Sequence, residues 1–261
     1  MNFIITAGGT RERIDTVRTI ANEATGRLGS LIAEELARRL EGKEYEIYYL
    51  CGTGACLPRI KDEKMHIVCV EGTEQLQNAL TRLLTEQEVD AVIHSMAVSD
   101  YKVSSVTTPE QIAQALAEKF RGPQPALSEA EWERAVAQAI TARPLSAKHK
   151  ISSELEHPVL VLEKTPKIIG MIKKTSPKTL LVGFKLLSGV SRETLIKTAC
   201  ALLKRNRCDF VLANDTDSFR DGNHEGFLVD ENGDYIKFSG KEQIAEGIAD
   251  SVLKKLLEGK V

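Results

Sequence analysis

The sequence lacks most features that mark secreted, metal-binding and membrane proteins. Its 261 residues carry five cysteines, an odd number, scattered and without a Cys-x-x-Cys pair, so neither a disulfide framework nor a cysteine metal site is expected. The five histidines do not group at ligand spacings, which argues against a transition metal held by the protein. No apolar run approaches the roughly 20 residues of a membrane span.

An excess of charge of one sign is also missing. Lysine and arginine total 35 against 37 aspartate and glutamate, so no global field favours nucleic acid or an anionic membrane. The chain enters a strand-like run at once, without a signal-peptide pattern. We therefore expect a cytoplasmic protein with reduced thiols in its core. A composition of 42% apolar and 28% charged residues is that of an ordinary globular chain.

Several common catalytic motifs are absent as well. There is no Gly-x-x-x-x-Gly-Lys-[Ser/Thr] phosphate loop, no Gly-x-Ser-x-Gly elbow and no His-Glu-x-x-His pair. The Tyr-x-x-x-Lys pair of a short-chain dehydrogenase is missing too. These absences argue against four large enzyme classes.

The first 40 residues contain the most informative positive signal. The apolar run 3–5 ends at Gly8 and Gly9, and a long polar loop over 8–29 leads to a helical pattern over 30–40. Glycines let backbone N–H groups approach a ligand, and the start of a helix favours an anion. The pattern predicts a phosphate site at a strand-to-helix turn. The alternative is that the glycines only shape that turn.

Strand-like runs then alternate with helical stretches, as at 75–84. The further strands are predicted at 46–51, 66–70, 91–98, 159–163, 180–186 and 210–213. Such alternation predicts an α/β fold, a Rossmann-like, doubly wound and mostly parallel sheet with helices on both faces. Ligands of such sheets bind at the carboxyl ends of the strands. We predict a single domain over 1–261.

Two segments depart from this alternation. A helical insertion is predicted over about 102–147, with helix starts at Thr108-Pro109 and at the capping box Ser128-x-x-Glu131. Near the C-terminus, Asn232-Gly233 predicts a β-hairpin, so the sheet ends antiparallel before a helix at 241–257.

Four polar segments fall where strands are expected to end: 95–100, 150–153, 183–185 and 213–215. Each alone is explained by a turn, a cap or a solvated charge. Together with the first loop, in this order, they resemble the phosphopantothenate-cysteine ligase family. The resemblance covers nearly the whole chain except the insertion.

The resemblance implies a two-step ligase of coenzyme A biosynthesis. The carboxylate of 4′-phosphopantothenate attacks the α-phosphate of CTP, giving an acyl-cytidylate and pyrophosphate; the amine of L-cysteine then displaces CMP. Mg²⁺ is expected to be carried mainly by the nucleotide phosphates. The family is dimeric, so a homodimer is expected. No flavin-dependent decarboxylase half precedes the first strand, which favours the monofunctional bacterial form.

The resemblance also implies roles for individual residues. Asn22 and Lys150 are the candidate catalytic residues: Asn22 contacts the activated acyl group, and Lys150 offsets charge on the α-phosphate and the tetrahedral centre. For Asn22 the alternative is a helix N-terminal cap. The candidate substrate-binding residues are Gly8, Gly9, Arg18, Gly26, Arg27, Gly29, Met96, Ala97, Asn214 and Asp215. The candidate nucleotide-binding residues are Asp100, Lys150, Gly183, Phe184, Lys204 and Arg205.

The sequence departs from the family at the lysine motif. The family motif is Lys-x-Lys-Lys, whereas this chain reads Lys150-Ile151-Ser152-Ser153 and lacks the later lysines. Either Lys148 or Lys164 substitutes for them, or the shorter form of the motif suffices. Two other functional classes stay open at this point: an NAD(P)-dependent oxidoreductase, although the Gly-x-Gly-x-x-Gly fingerprint is missing, and a non-catalytic nucleotide-binding module.

Overall fold

The computed structural model describes residues 1–60, 62–123, 126–146, 149–220 and 224–259. The strands within these ranges are β1 (Asn2–Ala7), β2 (Arg11–Arg13), β3 (Thr19–Ala21), β4 (Glu46–Gly52), β5 (Met65–Val70), β6 (Ala91–His94), β7 (Tyr101–Thr107), β8 (Val159–Lys164), β9 (Leu180–Leu187), β10 (Phe210–Asp215), β11 (Glu225–Asp230) and β12 (Tyr235–Ser239). The helices are α1 (Arg27–Arg39), α2 (Thr73–Glu86), α3 (Pro109–Lys119), α4 (Glu129–Ala142), α5 (Ile168–Thr175), α6 (Arg192–Asn206), α7 (Asp217–Arg220) and α8 (Lys241–Glu258).

Contacts divide the chain, which the sequence predicted to be a single domain, into two compact units. The main unit comprises Met1–Thr10, Asn22–Val98 and Lys167–Val261, and the second unit comprises Arg11–Ala21 and Ser99–Pro166. None of the helices in the described ranges is long and apolar enough to span a bilayer.

The main unit contains the predicted sheet. Its eight strands lie in the order β12-β11-β10-β9-β6-β1-β4-β5. The ladders from β10 to β5 are parallel, and β11 and β12 are antiparallel. Burial on both faces explains why the central strands read as unbroken apolar runs: all four residues of β6 are buried. The predicted α/β, Rossmann-like, mostly parallel fold is confirmed.

Helices cover both faces of this sheet, as predicted. On one face, Leu36 of α1 and Ile248 of α8 belong to one buried cluster. On the other face, Leu80 of α2, Ile172 of α5 and Leu203 of α6 belong to a second. The helical spacing that predicted α1 and α2 thus corresponds to the faces these helices bury.

The end of the sheet also matches the sequence prediction. Strands β11 and β12 pair antiparallel around Asn232 and Gly233, and the Gly233 backbone takes a positive φ of 89°. The Asp230 carboxylate accepts hydrogen bonds from the backbone N–H groups of Asn232 (2.9 Å) and Asp234 (3.0 Å). The hairpin is closed by turn chemistry that is local in sequence, which is why it was predictable.

Two strand predictions are wrong. The run 159–163 was assigned to the parallel sheet, but β8 pairs antiparallel with β7 in a separate two-stranded sheet. Leu160 and Leu162 remain 38% and 45% exposed, whereas a central parallel strand is covered on both faces. The run 91–98 is strand only over β6, because residues after His94 turn to bond the end of β1.

The second unit contains the predicted insertion, and it includes strands as well as helices. Thr108 caps α3 in a capping box with Gln111, and Ser128 does the same for α4 with Glu131, which confirms both predicted helix starts. Strand β7 occupies the beginning of the segment predicted as a helical insertion. The long polar loop also contains structure, since β2 and β3 pair as an antiparallel hairpin.

The five cysteines are free, as predicted. Cys51 and Cys208 are buried, and burial raises the pKa of each thiol to about 12. Cys69 is exposed, so the prediction of core thiols is wrong for this residue. Cys69 pairs with Cys51 of the neighbouring strand β4, but it lies on β5, the edge strand of the sheet, where only Val70 is buried.

Candidate active site

The order of strands in the main sheet reverses between β1 and β6. The chain continues from β1 to β4 and β5 on one side, and from β6 to β9 and β10 on the other. In open α/β sheets, such a point opens a crevice at the carboxyl ends of the strands, here called the carboxyl edge. Gly8-Gly9 and residues 95–97 meet there, where Gly9 and Ala97 form an isolated bridge.

Close backbone packing explains the glycines that follow β1. A Cβ on Gly9 would lie 2.5 Å from the carbonyl oxygen of Asn22, and one on Gly52 would lie 2.2 Å from the oxygen of Gly9. Gly8 takes a positive φ of 80°, and a Cβ there would lie 2.7 Å from that of Ala55. These glycines are therefore needed to pack three chain segments together, one of which carries Asn22.

Asn22 does not have the structural role that the sequence left open for it. The N-cap of α1 is Gly26, with a φ of 72° and no side-chain cap. Asn22 precedes that cap by four residues, and its side chain is exposed. Asn22 is therefore not the cap of α1, and its side chain is open to solvent.

The start of α1 presents the features predicted for a phosphate site. Its first turn contains no acidic residue and begins with Arg27, whose guanidinium lies 3.9 Å from Glu34. Gly29 packs tightly, since a Cβ there would lie 2.6 Å from that of Ala7 and 2.9 Å from Oγ of Ser95. The helix start is thus held against the ends of β1 and β6. Its first N–H, that of Arg27, donates to Thr25 Oγ1 (3.4 Å), and the positive end of the helix dipole favours an anion.

Residues 95–97 are held by hydrogen bonds to the end of β1. Ser95 Oγ donates to the Thr6 carbonyl oxygen (2.6 Å), and the Met96 N–H donates to Thr6 Oγ1 (3.2 Å). Ala97 donates its N–H to Gly8 O (2.8 Å) and accepts from the Thr10 N–H (3.1 Å). The structure thus brings Met96 and Ala97 to Gly8 as predicted, but the Met96 side chain is buried in the core.

Sequence reasoning missed a buried polar pair below this edge. Nδ1 of His94 lies 2.9 Å from Oγ1 of Thr6, and burial lowers the pKa of His94 to about 4. Thr6 Oγ1 also accepts the Met96 N–H, so one hydroxyl joins the His94 ring to the turn that follows β6. Burial therefore keeps the His94 imidazole neutral at pH 7, below the turn formed by residues 95–97. The only signal in the sequence was a histidine ending an apolar run.

The segments after β9 and β10 form the far side of the carboxyl edge. Asn214 is buried, and the Asp215 carboxylate accepts N–H bonds from Gly189 (3.2 Å), Val190 (3.0 Å) and Asp217 (2.8 Å). These bonds, above all that from Val190, lower the pKa of Asp215. Asp215 therefore shapes the loop that follows β9.

Gly183 and Phe184 do not end a strand, contrary to expectation, because β9 continues to Leu187. A Cβ on Gly183 would lie 3.0 Å from Cδ1 of Ile169, and Phe184 is half-buried against the core cluster of α1 and α8. By the register, Gly183 is level with His94, the last residue of β6, and Phe184 lies one residue further toward the carboxyl edge.

Lys204 and Arg205 lie elsewhere in the main unit. Both are exposed on the last turn of α6, which ends at Asn206, shortly before β10 begins. That turn lies at the amino ends of the parallel strands. The structure therefore does not bring these two residues to the carboxyl edge of their own unit.

Three predicted residues, Arg18, Asp100 and Lys150, belong to the second unit. Lys150 is exposed and follows α4 in a segment without helix or strand. Asp100 is exposed and immediately precedes β7, and its carbonyl oxygen accepts the Thr165 N–H (3.1 Å). Of the substitutes considered for the missing lysines, Lys164 is the exposed last residue of β8, and Lys148 lies outside the described residues.

Arg18 is connected to the residue that follows Lys150. Its Nη2 donates to the carbonyl oxygen of Ile151, and its Nε lies 3.3 Å from Oδ2 of Asp15. Asp15, which the sequence did not single out as a site residue, is 2% exposed and also accepts the Ile151 N–H (3.1 Å). In the sequence, Asp15 is one of several charged residues of the polar loop 8–29, and nothing local marks its contact with Ile151, 136 positions away.

Comparison with known proteins identifies the family. A sequence profile of the family described as DNA/pantothenate metabolism flavoprotein C-terminal domain matches residues 1–117 and 104–256. The chain belongs to this family. The matched ranges include residues of both units.

Individual relatives agree with this assignment. The coenzyme A biosynthesis bifunctional protein CoaBC of Thermococcus kodakarensis is 30% identical over 256 residues, covering 97% of this chain and 51% of that protein. The chain thus spans about half the length of the curated relatives it matches.

Two solved structures show the same fold. The DNA/pantothenate metabolism flavoprotein from Streptococcus pneumoniae is 30% identical, with a TM-score of 0.78 over 98% of this chain and 99% of that one. A Cab2 mutant in complex with phosphopantothenate-cysteine is 16% identical, with a TM-score of 0.64 over 98% of this chain and 86% of that one. At that identity, the second comparison shows the fold alone.

Proposed function

We propose that this protein is an amide-forming ligase of coenzyme A biosynthesis that condenses 4′-phosphopantothenate with L-cysteine at the expense of CTP. One observation carries the proposal: a profile of the pantothenate metabolism family matches residues 1–117 and 104–256, which include Asn22, Asp100 and Lys150. The name of the Thermococcus kodakarensis relative places that protein in coenzyme A biosynthesis.

The reaction consists of two displacements. In the first, a carboxylate oxygen of phosphopantothenate forms a bond to the α-phosphorus of CTP, and pyrophosphate leaves. In the second, the cysteine amine attacks the acyl carbon of the mixed anhydride, and CMP leaves with the bonding electrons as the amine loses a proton. Both steps depend on positioning and on the stabilisation of negative charge.

The main unit would bind the acyl substrate. The start of α1, whose N-cap is a glycine, is suited to the phosphate of phosphopantothenate, because helix N–H groups and the positive end of the helix dipole favour an anion. The exposed Asn22 amide is suited to orient the carboxylate without adding charge. The missing Cβ of Gly9 leaves the space in which the Asn22 carbonyl oxygen lies at this edge.

The second unit would contribute to nucleotide activation. Lys150 is exposed, and its ammonium is suited to the charge that grows on the α-phosphate. Loss of one preorganised donor of this kind costs roughly 2.7–4 kcal/mol in the barrier. Asp100 is suited to accept a hydrogen bond from the amino group of the cytosine base. Roles for Phe184, Lys204 and Arg205 at the nucleotide remain predictions from the family resemblance.

Mg²⁺ is proposed to arrive with CTP. Within the part of the chain that the structure describes, no three His, Cys, Asp or Glu side chains group closely enough to hold a metal ion. The carboxylate of Asp215 at the carboxyl edge is occupied by three backbone N–H groups. A cation carried by phosphates and water fits this donor set better than one held by protein carboxylates.

A homodimer is proposed from the exposed face of the β7–β8 hairpin. Leu160 and Leu162 are 38% and 45% exposed, and Tyr101 is 51% exposed. Alternate residues of a strand share one face, and residues paired across a ladder lie side by side, so these three side chains and Val103 form a mainly apolar strip that ends at the exposed Lys164, the partner of Tyr101. Sedimentation equilibrium of Leu162→Lys against wild type tests this strip as the contact between copies.

Pyrophosphate release tests the function directly. Release should require CTP and phosphopantothenate together, and formation of the amide product should also require L-cysteine. Release that ignores phosphopantothenate would falsify the proposed activity. A thermal-shift comparison of CTP with NADPH distinguishes the ligase from an oxidoreductase of the same fold, and binding of CTP without turnover would favour a nucleotide-binding module. The monofunctional form and the cytoplasmic location remain predictions.

A further inference from the structure

A buried carboxylate joins two distant segments of the second unit. The side chain of Asp15 has no exposed surface. Its Oδ1 accepts the N–H groups of Val17 and Arg18, both at 2.8 Å, and its Oδ2 accepts that of Ile151 at 3.1 Å. These N–H bonds, first that of Val17, lower the pKa of Asp15 against the effect of burial. The carboxylate is therefore ionised at neutral pH.

Arg18 closes a ring around the same contact. Its Nε lies 3.3 Å from Oδ2 of Asp15, while its Nη2 donates to the carbonyl oxygen of Ile151. Both main-chain polar groups of Ile151 are thus bound to this pair, and the Ile151 side chain is 6% exposed. The guanidinium that the sequence assigned to substrate is engaged with the backbone of the protein itself.

The contact between Asp15 and Ile151 lies directly after Lys150 in the chain. The peptide group held by Asp15 is the one that joins Lys150 to Ile151, because its N–H belongs to Ile151. The described residues 149–158 contain neither helix nor strand, so no ladder or helical hydrogen bond fixes Lys150. The Asp15 bond therefore restricts the backbone from which the Lys150 side chain extends.

We propose that Asp15 is a positioning residue that, together with Arg18, holds the Lys150–Ile151 peptide so that the Lys150 ammonium is placed for nucleotide activation. This inference rests on the proposed function. Asp15 touches no reacting atom; it acts through Lys150. A displacement of about 1 Å in a catalytic group can cost about 10²-fold in rate, which sets the expected effect.

Asp15→Asn is the sharpest perturbation, because it keeps the shape of the side chain. The remaining amide oxygen can still accept from Val17 and Arg18, but the new NH₂ group faces the Ile151 N–H and the Arg18 guanidinium, both of which are donors. Asp230→Asn is a matched control in the main unit, since that carboxylate also accepts two backbone N–H bonds in a turn.

A double-mutant cycle tests the action through Lys150. Pyrophosphate release from CTP and phosphopantothenate is measured for wild type, Asp15→Asn, Lys150→Gln and the double variant. We expect kcat to fall about 10²-fold in Asp15→Asn, while Asp15→Asn adds less than about threefold to Lys150→Gln. Effects that multiply independently would overturn the proposal, as would a wild-type kcat in Asp15→Asn.

Hydrogen exchange separates this inference from the proposed function. Exchange of the Ile151 amide should be slow in wild type and faster in Asp15→Asn, and it should be unchanged in Asp230→Asn. Failure of the wild type to release pyrophosphate would refute the proposed function. Ile151 exchange that is the same in Asp15→Asn and in wild type would overturn the positioning claim, whatever the activity. If Asp15→Asn does not fold, Arg18→Lys, which alters the bond to the Ile151 carbonyl oxygen, replaces it in the double-mutant cycle with the same expected outcome.

Discussion

Replacement of Gly9 by alanine should disturb the candidate active site through a single steric contact. The φ of Gly9 is not among the positive values in the chain, so an alanine can adopt its backbone conformation. The added Cβ would lie 2.5 Å from the Asn22 carbonyl oxygen, about 0.9 Å closer than the 3.4 Å at which ordinary contact begins. The contact atom is backbone and cannot rotate away, so the segment carrying Asn22 has to move.

The magnitude of the effect follows from that displacement. Overpacking of this kind costs about 1–3 kcal/mol in the free energy of unfolding. A shift of about 1 Å at Asn22 should lower kcat about 10²-fold, if the Asn22 amide orients the acyl substrate. Loss of turnover should therefore exceed what the fraction of unfolded protein explains at the assay temperature.

The assay pairs urea denaturation with pyrophosphate release from CTP and phosphopantothenate. Gly170→Ala is the control, because a Cβ on Gly170 in α5 would meet only Oδ1 of Asn206, at 3.4 Å. The control should be as active as wild type and, because alanine favours a helix, slightly more stable. Wild-type turnover and stability in Gly9→Ala would refute the claim that this contact positions Asn22.

Three further predictions follow from the site and the core. Asn22→Ala and Lys150→Gln should give wild-type circular dichroism spectra and lose most product formation; full turnover in both would remove these residues from the site. Burial lowers the pKa of His94 from 6.5 to about 4, so the unfolded state binds more protons in that interval, and stability should decline by about 3 kcal/mol as the pH falls from 6.5 to 4. Burial also lowers the pKa of His224 to about 4, so part of this pH dependence should remain in His94→Gln. Urea titrations at several pH values should show that the unfolding free energy of His94→Gln depends less on pH than that of wild type. An equal dependence in both proteins would exclude His94 as a source. Cys51→Ala should lower the urea midpoint more than it lowers kcat/KM, since the thiol is buried in the core; the reverse order would indicate thiol chemistry.

The main sheet and its helices could be predicted because their signals are local. Apolar runs such as the one in β1 specify strands buried on both faces, and leucines at helical spacing, such as Leu80, specify the face that α2 buries. The capping box of α4 marks the start of that helix, and the Asn232-Gly233 turn marks the end of β11 and the start of β12, each within four residues. By themselves, these features gave the fold class, the carboxyl edge and the position of the first turn.

Tertiary structure alone decided the contacts between distant segments. Strand β8 is as rich in apolar residues as the strands of the parallel sheet but pairs with β7, because pairing depends on which strand the chain brings alongside. The bond from Ile151 to Asp15 joins residues 136 positions apart, and only packing reveals that Asp15 is buried there. Gly9 likewise reads as a turn residue until the Asn22 carbonyl is found in the space of its missing side chain. Residue types and spacing specify local conformation; which groups touch across the fold is set by the mutual packing of the whole chain.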